Sequence, residues 1–141
     1  MKILYSTKVA ASGGRHGKIQ SDDGMLSLNL ALPKSLGGAG GATNPEQMFA
    51  GGYAACFENA ILRVAREAKR PFADADVEVV AEVGLSRNEA DAYVLAVSMA
   101  ITLAGVDQPW AEEIVRRADA ICPYSNAVRG NIDVPKTIMV R

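Results

Sequence analysis

Two cysteines in this chain could do chemistry: Cys56, inside Tyr53-Ala54-Ala55-Cys56-Phe57, and Cys122, at the head of Cys122-Pro123-Tyr124-Ser125-Asn126. Their contrasting surroundings fit one attacking thiol and one resolving thiol, and so point toward peroxide chemistry. A buried cysteine is commonly an inert small hydrophobe. What raises the reactive reading for Cys56 is the second cysteine, because a sulfenic acid formed on one thiol needs a partner to trap it as a disulfide before over-oxidation. Distance in sequence neither forbids that pairing nor proves it.

The two positions differ electrostatically. Cys122 closes an expected helix, where the negative dipole end disfavours a thiolate, which suits a resolving role. Cys56 lies inside a helical segment among apolar residues, and desolvation there raises a thiol pKa unless a fixed positive charge stands close. Arginine is the fitting cation, since it stays charged when buried and its fork can bond a sulfur and a carboxylate at once. Arg15, in a turn bounded by Gly14 and Gly17, is the candidate, and a solvated turn arginine is the competing reading. Glu46 is the candidate carboxylate, although a glutamate in a first helical turn also simply complements the dipole. On an unbroken helix Glu46 and Cys56 stand about 15 Å apart. Either Gly51-Gly52 folds the segment back, or Arg15 spans the gap.

Other signals fail on context. Cys122-Pro123-Tyr124-Ser125 resembles a monothiol glutaredoxin motif, but that motif should open an early helix and this one closes a late helix. The glycines at 37, 38, 40 and 41 precede a helix without the continuation of a phosphate loop, so a mobile loop is expected. His16 is the single histidine, and with two separated cysteines it makes no recognisable metal site; no bound metal or cofactor is expected. Fifteen basic against sixteen acidic residues, net charge -1, supply no footprint for nucleic acid. The first residues lack a continuous apolar signal core and no apolar run reaches the roughly 18 residues of a membrane span. A cytoplasmic protein without a membrane partner is expected, and a disulfide in it would be transient.

The elements that must hold these residues follow from periodicity. The length of 141 residues predicts one domain, 1–141. Ile3, Tyr5, Thr7 and Val9 alternate as a first strand, and Leu26, Leu28, Leu30 and Leu32 as another, with a short Lys18-Ile19-Gln20 strand between glycine turns. A helix begins at Asn44 as N-cap, with Pro45 at its first position and Gln47 as reciprocal capping partner, and runs to Arg70 before Pro71. Gly51-Gly52 inside it predicts a bend, a break or a close backbone approach. Strands over 77–85 and 93–103 form a hairpin, a second helix capped by Asp107 runs until Pro123, and 131–140 is a final strand. The order predicts an α+β fold with antiparallel sheets and two main helices.

Three stretches carry a resemblance: Gly41-Ala42-Thr43-Asn44-Pro45-Glu46-Gln47-Met48-Phe49, Gly52-Tyr53-Ala54-Ala55-Cys56-Phe57, and Cys122-Pro123-Tyr124-Ser125-Asn126-Ala127 through Arg129-Gly130-Asn131-Ile132-Asp133-Val134. Over nearly its whole length the chain resembles the organic hydroperoxide resistance proteins, a branch of the osmotically inducible thiol peroxidases. The resemblance implies Cys56 as peroxidatic thiol, Cys122 as resolving thiol, and Arg15 with Glu46 as polar support beside Cys56. It also implies an intertwined homodimer with two active sites at the subunit interface, and reduction by dihydrolipoyl groups carried on a lipoylated protein. His16 departs from the acidic or polar residue common after the arginine, and Glu58-Asn59 stands at a variable site; both bear on tuning rather than on the reaction.

The activity so implied is an organic hydroperoxide reductase in which a Cys56 sulfenic acid condenses with Cys122. Met48, Phe49, Phe57 and Tyr124 are the expected apolar wall for the organic tail. The alternatives are a non-catalytic redox sensor or apolar-ligand carrier on the same fold, and a monothiol glutathione-linked protein.

Overall fold

A computed structural model describes residues 1–141, which group into two units, Met1–Met48 and Phe49–Arg141. In the first, β1 (Val9–Ser12), β2 (Lys18–Ser21) and β3 (Ser27–Asn29) form an antiparallel meander in that order. The alternation over Ile3 to Val9 becomes a strand only at Val9. Pairing with β2 ends at Val9↔Ser21, and the chain then turns, with Gly24 N–H bonded to Ser21 C=O. Residues before Val9 therefore have no strand opposite them within this chain, and Ile3, Leu4 and Tyr5 are exposed. Leu26 to Leu32 is likewise cut short: only Ser27–Asn29 pair along β2, while buried Leu30 makes a single bridge to Thr43.

The turn carrying Arg15 is a short 3-10 segment, Gly14–His16, entered through Gly13 at φ 80°. That conformation is costly for a side chain. A Cβ on Gly17 would collide with the Ser12 carbonyl, so the hairpin closes only because glycine stands there.

Helix α1 spans Pro45–Glu67. Asn44 caps it, its Oδ1 accepting from Gln47 N–H at 2.9 Å. The Gln47 side chain does not reach back to Asn44; it accepts from Thr43 Oγ1 at 2.7 Å instead. The helix runs continuously through Gly51-Gly52, so these glycines do not fold it back. Gly52 is instead a close-approach site, because a Cβ there would stand 2.7 Å from the Tyr124 hydroxyl. The C-terminus comes before Pro71: Lys69 adopts φ 57°, and Arg70 N–H reaches back to Ala65 C=O at 2.9 Å, a Schellman closure.

In the second unit β4 (Val77–Arg87) and β5 (Tyr93–Leu103) pair antiparallel along their full length. α2 (Gln108–Ile121) follows, with Asp107 Oδ1 accepting from Trp110 N–H at 3.0 Å. The second helix ends at Pro123 as expected, but helical structure does not. Pro123 stops α2 and opens a third helix, α3 (Pro123–Val128), because a proline that cannot continue one helix is well suited to the first position of the next. The last strand, β6 (Lys136–Val140), starts later than 131 and pairs parallel to β5, since the chain returns along α2 and α3 before entering the sheet. The sheet is thus mixed in order β4-β5-β6, and the class is α+β with three helices.

The core of this unit unites one face of each element. Tyr53, Phe57, Ala60, Ile61 and Val64 of α1 meet Ala111, Ile114, Val115 and Ala118 of α2, over Val97, Met99, Ile101 and Leu103 of β5. Fully buried aliphatic side chains such as Ile61, Ile101, Leu103 and Ile114 contribute about 1.5–3 kcal/mol each. No helix is long and apolar enough to cross a membrane.

Candidate active site

The sequence-predicted residues fall into two pairs. In the first unit the Arg15 fork grips Glu46, Nη1 to Oε2 at 2.8 Å and Nη2 to Oε1 at 2.6 Å. The glycine-bounded turn presents Arg15 and the capped first turn of α1 presents Glu46. Hydrogen bonds from Arg15 hold the Glu46 carboxyl below the usual glutamate range, against part-burial, and the same bond raises Arg15 above its ordinary value. The planar bidentate geometry fixes the guanidinium plane, leaving its remaining donors free to face a third group.

In the second unit the Cys122 thiol points at Cys56, Sγ to Sγ at 3.7 Å, with 66 residues between them in sequence. Both are free thiols. Cys56 is half-buried and Cys122 fully enclosed. Burial pushes the Cys56 thiol up, a backbone N–H of Tyr124 directed at the sulfur opposes it, and the neighbouring Cys122 adds to the rise. Within this unit nothing supplies the formal positive charge that a Cys56 thiolate needs. The helix-dipole contrast expected between the cysteines changes form, because Cys122 both closes α2 and precedes α3. What separates the two sulfurs is accessibility.

Aromatic rings from α1 and α3 cluster together. Phe49 packs edge-on against Tyr53 and Tyr124, with centroids at 6.2 and 6.3 Å, and Tyr53 does so against Phe57 at 6.5 Å. Tyr124 lies beside Tyr53 at 5.7 Å, over the bare face of Gly52. Of the expected wall residues, Phe49 and Tyr124 keep exposed surface, Met48 is half-buried in the first unit, and Phe57 is enclosed in the core.

A polar group escaped the sequence reading. The Tyr53 and Ser125 hydroxyls meet at 2.8 Å in the interior. Behind them Asp119 binds Arg129 at 2.9 Å and Lys136 at 3.1 Å. Burial pushes the Asp119 carboxyl up, but hydrogen bonds from Arg129, Lys136 and Ser125 outweigh it and hold the group below its ordinary value. The signal was available: Tyr53 stands one helical turn before Cys56, and Ser125 lies in the short motif that Cys122 begins.

Residues 38–135 match the family described as OsmC-like protein. The chain belongs to the OsmC-like family. Among OsmC-like relatives it is 42% identical over 138 residues to the organic hydroperoxide resistance protein of Xanthomonas axonopodis pv. citri (strain 306), across 97% of this chain and 96% of that one. It superposes at TM-score 0.93 on an organic hydroperoxide resistance protein from Legionella pneumophila, with 47% identity over 99% of this chain and 100% of that chain. A Vibrio cholerae organic hydroperoxide resistance protein, solved with captopril bound in one of the active sites, gives TM-score 0.92 and 48% identity over 99% and 94% of the two chains. The branch named from the motifs is therefore the branch of the OsmC-like family to which this chain belongs.

Proposed function

We propose that this protein is a two-cysteine thiol peroxidase that reduces organic hydroperoxides to alcohols, with Cys56 peroxidatic and Cys122 resolving. The observation that carries the reading is the Sγ–Sγ separation of 3.7 Å between free thiols, one half-buried and one enclosed. The names of the relatives, organic hydroperoxide resistance proteins, support the substrate class.

The Cys56 thiolate attacks the terminal oxygen of the hydroperoxide. The O–O bond breaks, the alkoxide takes a proton and leaves as alcohol, and Cys56 is left as a sulfenic acid. Cys122 then condenses with it, forming the S–S bond and releasing water. An external dihydrolipoyl dithiol on a lipoylated protein reopens the disulfide by thiol exchange and leaves as its own disulfide. Arg15 serves as the cation for the Cys56 thiolate, and Glu46 fixes the guanidinium plane through its two bonds. Phe49 and Tyr124, with Met48, form the apolar wall, and Phe57 backs it from the core. Such a wall favours alkyl over hydrogen peroxide by about 25 cal/mol per Å² of tail buried.

A homodimer completes the reading. It is supported by the exposed Ile3, Leu4 and Tyr5, which have no partner strand in the chain, and by Val80, Val94 and Met139 exposed on the mixed sheet.

Steady-state consumption of cumene hydroperoxide with dihydrolipoamide tests the proposal. Sustained turnover, lost in Cys56→Ser, is expected. A single stoichiometric oxidation without cycling would make the protein a redox sensor, and full activity in Cys56→Ser would refute the assigned thiol.

A further inference from the structure

Tyr53 and Ser125 are among the most enclosed polar side chains of the protein, 1% and 2% exposed, and their hydroxyls meet at 2.8 Å. Their places give the contact meaning. Tyr53 lies on α1 one turn before Cys56, and Ser125 lies on α3, the helix that begins directly after Cys122. The two elements that carry the sulfurs are thus joined a second time, beside the thiols, by a bond between neutral groups.

The pair has a charged neighbour. Asp119, on α2, is paired with Arg129 and Lys136, and a carboxylate in that setting only accepts. Either hydroxyl of the Tyr53–Ser125 pair can be the donor. Tyr53 on α1, Ser125 on α3 and Asp119 on α2 line one polar cavity of about 170 Å³.

α3 needs such an anchor. It has six residues, far below the about 12–15 at which an isolated helix becomes even marginally stable. Disulfide formation requires the sulfurs to close from 3.7 Å to about 2.05 Å, a movement that a frayed α3 would not deliver reliably.

We propose that Tyr53 and Ser125 are positioning residues for the resolving step, a clasp that keeps Cys122 within bonding reach of Cys56. The clasp rests on the two-cysteine reading above. It does not touch the hydroperoxide, so it governs condensation of the sulfenic acid with the Cys122 thiol, which yields the disulfide and water, and leaves the first oxidation alone.

The test is a stopped-flow comparison of wild type, Tyr53→Phe and Ser125→Ala, in which one equivalent of cumene hydroperoxide is added to reduced protein. Sulfenic acid formation and disulfide formation are followed separately, and sulfinic acid is counted by mass spectrometry at excess peroxide. Tyr53→Phe keeps the ring and removes only the hydroxyl. Expected are an unchanged first step, a condensation rate about tenfold lower in both variants, as loss of one buried hydrogen bond implies, and a raised sulfinic fraction. The double variant should be no slower than the worse single one, since both remove the same bond. Condensation at the wild-type rate in Tyr53→Phe overturns the clasp, as does an equal slowing of both steps, which would mark a general loss of structure. A wild type that forms no Cys56–Cys122 disulfide overturns the two-cysteine reading itself, and that result is distinct because it needs no variant.

Discussion

Cys56 Sγ and Cys122 Sγ stand 3.7 Å apart, although 66 residues separate them. α1 brings one sulfur and the α2–α3 junction brings the other, and the shared core packs these helices together. The two sulfurs differ in exposure. Cys56 is half-buried and Cys122 fully enclosed, which supports the proposed order in which Cys56 meets oxidant first.

Replacing Cys122 with serine should leave the first oxidation intact and remove its trap. One equivalent of hydroperoxide is consumed at the wild-type rate, turnover with dihydrolipoamide then falls at least about 100-fold, and sulfinic acid accumulates on Cys56. Intact-mass spectrometry after peroxide addition checks this. Sustained lipoyl-dependent turnover in the variant would count against the resolving role.

Arg15→Ala should raise the Cys56 thiol further. Burial already pushes it above its ordinary value, and the variant loses the one permanently charged group assigned to the thiolate. A shift of one unit lowers the thiolate fraction, and with it the rate near neutral pH, about tenfold. The pH–rate profile moves to higher pH and recovers at its alkaline end. An unmoved thiol titration would detach Arg15 from Cys56.

The Arg15–Glu46 pair makes stability depend on acid pH with a defined sign. The Glu46 carboxyl titrates below its ordinary value of 4.5, so its contribution is fully present above that value and is lost as pH falls through the lowered folded value. Urea unfolding of wild type and Glu46→Gln should differ by under about 1 kcal/mol near neutral pH, a part-exposed pair being worth no more, and the difference should vanish in strong acid. A gap that widens as pH falls would contradict the assignment.

The two adjacent glycines of α1 should respond oppositely. Gly51 has open space where a Cβ would go, so Gly51→Ala should stabilise the helix by about 0.5–1 kcal/mol. At Gly52 the new methyl would meet the Tyr124 ring. Gly52→Ala should push that ring aside, offset its own helix gain, and lower kcat/KM for bulky alkyl hydroperoxides more than for hydrogen peroxide. Thermal melts and a substrate series measure both, and equal behaviour of the two variants would remove Tyr124 from the wall.

What could be read from the chain depended on whether the cause was local. The alternation of Tyr93, Leu95, Val97, Met99, Ile101 and Leu103 named the inner face of β5 from Leu95 onward, with Tyr93 left exposed at the strand's start, because a strand with one buried face must repeat with period two. Asn44 and Asp107 marked the starts of α1 and α2 because a cap acts within one turn. The same alternation over Ile3 to Val9 misled, since a strand also needs a partner and β2 ends opposite Val9. Pro123 read as a stop, and whether a stop becomes the start of α3 depends on what the next turn packs against.

The sequence by itself determined the chemical inventory: two thiols, an arginine in a glycine turn, a glutamate beside a helix cap, and apolar stripes that bury one face of each element. These follow from residue type and near-neighbour spacing, which act over a few residues. Only the tertiary structure decided that the sulfurs face each other, that Arg15 grips Glu46 with both arms, and that the Tyr53 and Ser125 hydroxyls meet in the interior. Hydrogen bonds and sulfur contacts act over a few ångströms in space, whatever the distance along the chain, so they come into being only when packing has brought remote helices together.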